Sequence, residues 1–96
     1  MSIIKKDLPE IMYKLRISDK AEKELDKFNY EMYDRIYHKI KSLELNPRPF
    51  GVIKLRDSDG YRIRVGNYRI LYEIDDNEKT IDIYEVLHRK EAYKKR

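Results

Sequence analysis

The stretch Tyr61–Tyr72, YRIRVGNYRILY, decides the fold of this chain. Two runs of alternating apolar and basic residues flank Gly66-Asn67. Gly-Asn at that place signals a two-residue hairpin loop, because both residues tolerate positive φ. Such a loop pairs Val65 with Tyr68, Arg64 with Arg69 and Ile63 with Ile70. Successive side chains of a strand point to opposite faces. Tyr61, Ile63, Val65, Tyr68, Ile70 and Tyr72 therefore share one face, and Arg62, Arg64, Arg69 and Leu71 share the other. Two arginines directly opposite each other repel and weaken the ladder. An anion resting between them would account for the pair.

The pattern extends on both sides of the hairpin. Val52–Arg56 reads as a strand with Ile53 and Leu55 inward and Lys54 and Arg56 outward. Asp57–Gly60 forms a turn. Beyond Tyr72 the strand continues to Ile74 or Asp75, and Asp76–Lys79 turns the chain into a last strand over Thr80–His88. A four-residue loop there pairs Ile74 with Ile81 and Tyr72 with Ile83. Continued alternation puts Ile81, Ile83 and Leu87 in the core, with Glu85 as an exception, and sets Asp82, Tyr84, Val86 and His88 on the other face. Glu73 and Asp82 then oppose each other at the far end, away from the arginines. Arg89–Lys95 reads as a terminal helical turn carrying Tyr93.

Upstream, Tyr13, Leu15 and Ile17 alternate with Lys14 and Arg16, the pattern of a half-buried strand. Ser18 or Asp19 caps a short helix with Ala21, Leu25 and Phe28 on its apolar stripe, and Asp19 and Glu22 have capping-box spacing. A second helix starts at Asn29 and runs to about Leu45. Tyr33, Ile36, Tyr37, Ile40 and Leu43 follow its period. That spacing makes Tyr30, Tyr33 and Tyr37 core residues more readily than a base-stacking platform. His38 falls on the charged side and reads as surface. Asn46-Pro47-Arg48-Pro49 ends the helix, because the residue before each proline is pushed to extended geometry. Met1–Ile11 shows no period and is expected to be a flexible extension or a short docked turn.

These elements predict one α+β domain over residues 1–96. An N-terminal strand and a helical hairpin precede antiparallel strands in a twisted sheet, with the helices on one face. The 96 residues allow one core and not two. No apolar run reaches the length of about 18 residues that a membrane helix needs. The absence of cysteine excludes disulfides and thiolate chemistry and fits a cytoplasmic protein. Two histidines and no acidic cluster of ligand spacing predict no metal and no cofactor. There is no glycine-rich phosphate loop, no nucleophile elbow and no recognisable Ser/His/Asp triad.

What remains is the outward face. It gathers Lys54, Arg56, Arg62, Arg64 and Arg69, with His88, Arg89 and Tyr93 at one end. The net charge of +4 adds a weak hint of a polyanionic partner. The chemistry suits a phosphodiester. Arginines stabilise charge that builds on a pentacoordinate phosphorus, and Tyr or His moves protons on the attacking and leaving oxygens. A plainer reading stands beside this one: outward Lys and Arg solvate an exposed sheet and protect its edges, His88 is a solvated strand end, and Tyr93 anchors the terminal turn.

At YKLRISDKAEKELDKF, at LELNPRPFGVIKLRDSDGYRIRVGNYRILYEID and at VLHRKEAY, the chain resembles the RelE/ParE toxin superfamily, and within it the RelE-type endoribonuclease toxins. RVGNYRILYEID followed by HRKEAY is the most specific part. The resemblance spans Tyr13 to about Tyr93. It implies the same fold and the toxin of a type II toxin–antitoxin system, which cuts messenger RNA on the ribosome without a metal. In that mechanism a 2′-hydroxyl attacks its own phosphate. By the same resemblance Arg69 contacts the scissile phosphate and Arg89 stabilises the transition state. Arg62 and Arg64 bind RNA and take part in proton transfer, and Lys54 and Arg56 match basic positions on the preceding strand. Tyr93 stacks on a base or assists proton transfer, and His88 stands where some members have a histidine. The implied partners are a cognate antitoxin, messenger RNA and the ribosome, with operator DNA reached only through the antitoxin, and no membrane. Some relatives have a glutamate base where this chain reads Phe50-Gly51-Val52, so the base is left open. The ParE branch, which shares the fold and inhibits DNA gyrase, stays open as an alternative, as does a non-toxic relative that only binds an antitoxin.

Overall fold

The computed structural model describes residues 12–56 and 58–90. The expectations for Met1–Ile11, for Tyr93 and for most of the terminal turn lie outside the described residues. Strand β1 is Lys14–Ile17, helix α1 Asp19–Leu25 and helix α2 Tyr30–Ser42. Strands β2 (Ile53–Lys54), β3 (Gly60–Val65), β4 (Tyr68–Asp75) and β5 (Thr80–His88) follow. They form one five-stranded sheet in the order β1-β5-β4-β3-β2. The strands joined by turns are antiparallel, as expected. β1 adds to β5 in parallel, so the sheet is mixed.

The central hairpin has the register its loop length dictates, with Val65 opposite Tyr68, Arg64 opposite Arg69 and Ile63 opposite Ile70. Only Gly66 needs positive φ (59°), which is the requirement of a type II′ turn. At the next turn the Asp75 carboxylate accepts the N–H groups of Asn77 and Glu78, both at 3.0 Å. This sets the four-residue loop and the Ile74–Ile81 and Tyr72–Ile83 pairs. Ile63, Ile70, Tyr72, Ile81 and Ile83 form the inner face of the sheet and pack under Ile36, Ile40 and Leu43 from the second helix. The buried Tyr72 hydroxyl donates to the Pro47 carbonyl at 2.7 Å.

Two parts of the alternation are corrected. A β-bulge sets Tyr84 and Glu85 together against Leu71. Beyond it the faces exchange: Val86 pairs with Ile70 and enters the core, Leu87 pairs with Arg69, and His88 pairs with Tyr68. One extra residue reverses every later side chain. The bulge also removes the apparent exception at Glu85, which lies opposite Leu71 and receives the Lys20 ammonium at 2.5 Å. The second correction is at β2, where Ile53 pairs with Arg62 and Lys54 with Tyr61. Ile53 therefore faces outward, 48% exposed, and Lys54 faces the helix side.

The helices start where capping chemistry places them. Ser18 caps α1 by accepting the Ala21 N–H at 3.1 Å, and Asn29 caps α2 by accepting the Met32 N–H at 2.9 Å. Asp19 and Glu22 lie in the first turn of α1, where carboxylates complement the helix dipole. α2 ends at Ser42, short of the expected Leu45. The tyrosine stripe is not core: Tyr30 is 79% exposed, and Tyr33 and Tyr37 are 36% exposed and stacked on each other at 5.9 Å. Ile36, Ile40 and Leu43 fill the buried arc, and the tyrosines fall on its flank.

α1 also completes the edge of β5 that β1 leaves uncovered. Ser18 donates its N–H to Ile83 O (2.9 Å) and its hydroxyl to Tyr84 O (3.2 Å), and the Glu24 carboxylate accepts the Val86 N–H (2.7 Å). Ser18→Ala removes a helix cap and the hydroxyl bond to Tyr84 O together. It should cost about 0.5–2 kcal/mol in thermal unfolding, toward the upper end.

Candidate functional site

The site is built on the outward face of β3, β4 and β5. Three cross-strand rows step along it. Arg64, Arg69 and Leu87 form the first, Arg62, Leu71 and Glu85 the second, and Gly60, Glu73 and Asp82 the third. The first row is cationic and the third acidic. The rows lie two residues apart, so the outer two are separated by about 14 Å. That exceeds the Debye length of about 8 Å at physiological salt. The third-row carboxylates therefore do not quench Arg64 and Arg69. At the acidic end, Asp59, Glu73, Asp75, Asp76 and Asp82 border a hollow of about 570 Å3 that would repel RNA. No acid or histidine cluster among the described residues has a metal-holding arrangement.

Arg69 is half-buried, and its guanidinium makes one long contact, 3.5 Å, to the Tyr68 carbonyl. Arg64 is exposed and its Nε donates to the Gly66 carbonyl at 3.3 Å. The Arg89 backbone N–H donates to Asn67 O at 2.7 Å. That bond hooks the end of β5 onto the hairpin tip and brings Arg89 to the Arg64–Arg69 end of the sheet. Arg62, Arg64, Arg69 and Arg89 make no ion pair among the described residues, while Arg16, Lys20, Lys41 and Arg48 each sit against a carboxylate. Arg56 is exposed in the turn after β2.

Two expected members are placed elsewhere. Lys54 folds over the Tyr61 ring at 5.6 Å and donates to the carbonyls of Leu55 and Ser58. It closes the turn after β2 instead of extending the cationic face. The bulge turns His88 to the helix side, edge-on to Tyr68 at 5.2 Å and beside Phe28 and Glu24. Its Nδ1 accepts the Lys90 N–H at 3.2 Å, which assigns the proton of a neutral ring to Nε2.

Periodicity along the chain does not reveal a cationic groove of about 490 Å3 between the hairpin turn and α2. Arg35, His38, Lys39, Ser42, Arg64, Val65 and Gly66 line it. The one signal in the sequence is the i,i+4 spacing of Arg35 and Lys39, a like-charge pair that costs a helix about 0.2–0.5 kcal/mol.

A separate network holds the acidic end. Arg48 donates to the Tyr61 hydroxyl (3.0 Å) and, through two nitrogens, to Asp76 (2.9 and 3.3 Å), while the Tyr13 hydroxyl donates to Asp76 at 2.6 Å. The hydrogen bonds from Arg48 and then Tyr13 hold the Asp76 carboxyl below its ordinary range. A carboxylate whose folded pKa is depressed contributes stability above its unfolded pKa and loses it as pH falls through the folded value. Melting temperature should therefore drop in acid from about pH 5 downward. Asp76→Asn should flatten part of that decline.

Comparison with known proteins agrees with this fold. Residues 15–93 match the family model described as ParE toxin of type II toxin-antitoxin system, parDE. RelE1 of Methanocaldococcus jannaschii is 30% identical, over 71% of this chain and 97% of that protein. The archaeal RelE–RelB complex of Pyrococcus horikoshii contains a chain with TM-score 0.75 and 32% identity, over 82% of this chain and 97% of that one. The RelBE2 toxin–antitoxin complex of Mycobacterium tuberculosis gives 0.74 and 28%, over 83% and 94%. The intact RelBE complex of Escherichia coli gives 0.69 and 25%, over 79% and 95%. The family match covers most of the chain, and the overall fold is shared with these structures. The chain belongs to the RelE/ParE superfamily of type II toxin–antitoxin toxins.

Proposed function

We propose that this toxin is a ribosome-dependent endoribonuclease that cleaves messenger RNA in the cytoplasm and so inhibits translation. The observation that carries the reading is the Arg64–Arg69 pair at the hairpin end of the outward face, with Arg89 hooked beside it and no carboxylate on any of the three among the described residues. Folding brings these like charges together at a cost, and a phosphodiester offsets it.

In the proposed reaction the substrate's 2′-hydroxyl attacks the adjacent phosphorus. The P–O5′ bond breaks, a 2′,3′-cyclic phosphate forms, and the 5′-oxygen leaves with a proton. Arg69 and Arg89 hold the non-bridging oxygens as negative charge builds there. Arg62, Arg64 and Arg56 bind the strand on either side. No metal is assigned a role. Lys54 and His88 leave the set, because their side chains lie on the helix side. Tyr93 keeps the part its resemblance implies, as a stacking or proton-transfer residue.

The partner proposed for the resting state is a cognate antitoxin, supported by the RelB complexes of the similar toxins. It would neutralise the toxin by covering the cationic face. Operator DNA would be reached only through it.

The match to the ParE family model supports a second reading, a non-enzymatic gyrase inhibitor. Primer extension on a reporter message after induction separates the two. Endoribonuclease action should give new 5′ ends within the message. Intact message with DNA-damage signalling would establish the second reading instead.

A further inference from the structure

Between the cationic and acidic rows, the outward face carries an apolar band. Ile53, paired with Arg62 and 48% exposed, lies at one edge of the sheet, and Leu71 lies half-buried on the central strand. Tyr84 completes the band. It leaves β5 at the bulge, and its hydroxyl oxygen comes to Gly60 at the head of β3, where a Cβ would meet it at 3.0 Å. β4 runs between those two strands, so the Tyr84 side chain crosses it and lies along the sheet instead of standing up from it. Gly60 alternates with Arg62 and Arg64, so a side chain there would point outward, into the place the tyrosine takes. The glycine serves space and not backbone conformation, since its φ is not positive. Burial, and then the charges of Glu73 and Glu85, hold the Tyr84 hydroxyl above its ordinary pKa, so the half-buried ring stays neutral.

The row that holds Arg64 and Arg69 lies one two-residue step from Leu71, about 7 Å along the strands. A neutral aromatic ring thus sits beside a pair of arginines, with carboxylates on its far side. A nucleotide has the matching parts, an anionic phosphate and a planar uncharged base. With the phosphate on Arg69, the acidic row keeps the backbone at the cationic end and does not repel a base laid toward Tyr84. Stacking on an aromatic side chain holds any base, because every base has a π-face.

We propose that the Tyr84 ring, seated over Gly60, is a stacking platform for one messenger nucleobase beside the scissile phosphate. The proposal rests on the endoribonuclease reading above. It adds a base contact on the sheet itself to the phosphate contacts of Arg69 and Arg89.

The test measures single-turnover cleavage by the full chain on ribosomes programmed with a short message. Tyr84→Leu should lower the rate by about 5- to 150-fold, the loss of one base–aromatic stack. Tyr84→Phe should keep it. Gly60→Ala, which crowds the seat, should give a smaller loss. Each variant is then compared on messages with an abasic ribonucleotide on one side or the other of the cut. At one of those positions the missing base should slow the wild type by the same factor, and Tyr84→Leu should then cost nothing more. A merely structural role for Tyr84 would slow intact and abasic messages equally, and that result overturns the proposal. So does a wild-type rate that neither abasic position changes, a measurement that needs no variant to fold. An ordinary message left uncut by the wild-type chain is a separate outcome: it removes the cleavage reading and this proposal with it.

Discussion

Arg69→Ala should lower messenger cleavage by about 10²–10³-fold, equivalent to about 2.7–4 kcal/mol of transition-state stabilisation, if Arg69 acts as one positioned oxyanion donor. Three structural features support an effect of this size. Arg69 lies on the middle strand of the outward face, between Arg64 and Leu87. It is half-buried, so its charge is less screened than that of a freely hydrated arginine. Its one hydrogen bond among the described residues, 3.5 Å to the Tyr68 carbonyl, leaves most of its donors for a ligand. The substitution should leave the melting temperature unchanged or slightly raised, because it removes the repulsion from Arg64. Arg89→Ala should give a loss of the same kind. Primer extension on the reporter reads the cleavage and a thermal melt reads the fold. Equal cleavage by wild type and either variant would remove that arginine from the chemistry.

The neighbouring residue should behave in the opposite way. Ile70 is fully buried on the inner face, paired with Ile63 on one side and Val86 on the other. Ile70→Ala deletes buried methyl groups and leaves a cavity under the second helix. The expected cost is about 2–5 kcal/mol, or roughly 10–30 °C in melting temperature for a domain of this size. Cleavage per folded molecule should stay near the wild-type value below the new transition. Arg69 and Ile70 are adjacent in sequence and a sheet's thickness apart in role. A variant pair that lost activity and stability together at both positions would contradict the alternation on which the site is built.

That alternation is legible wherever the information is local. A two-residue Gly-Asn turn leaves one register open to the flanking residues, so the spacing along the chain is enough to pair Arg64 with Arg69. The Asp76–Lys79 loop acts in the same way for the first half of the last strand. Helix starts at Ser18 and Asn29 follow from side chains that reach only two or three residues ahead. The resemblance to known toxins supplies roles for Arg69 and Arg89, and the fold brings both residues to one end of the sheet.

The misplaced residues share a cause. Nothing in IDIYEVLHR announces a bulge at Tyr84 and Glu85. It arises where β4 and α1 together claim the backbone of β5, with Ser18 holding Tyr84 O and Glu24 holding the Val86 N–H. One inserted residue carries His88 off the cationic face and Val86 into the core. At β2 only two residues pair, too few for periodicity to say which face they take, and the partners on β3 decide it.

The sequence by itself therefore determined the hairpin, its register, the paired arginines, the α+β class and the family. Each is set by spacing over a few residues or by a pattern along the whole chain. Only the tertiary structure decided which surface each later cation joins. It removed Lys54 and His88 from the outward face, anchored Arg89 at the hairpin tip, and set Arg35 and Lys39 beside Arg64. Those placements depend on contacts between segments tens of residues apart, where a shift of one residue in pairing reverses the outcome.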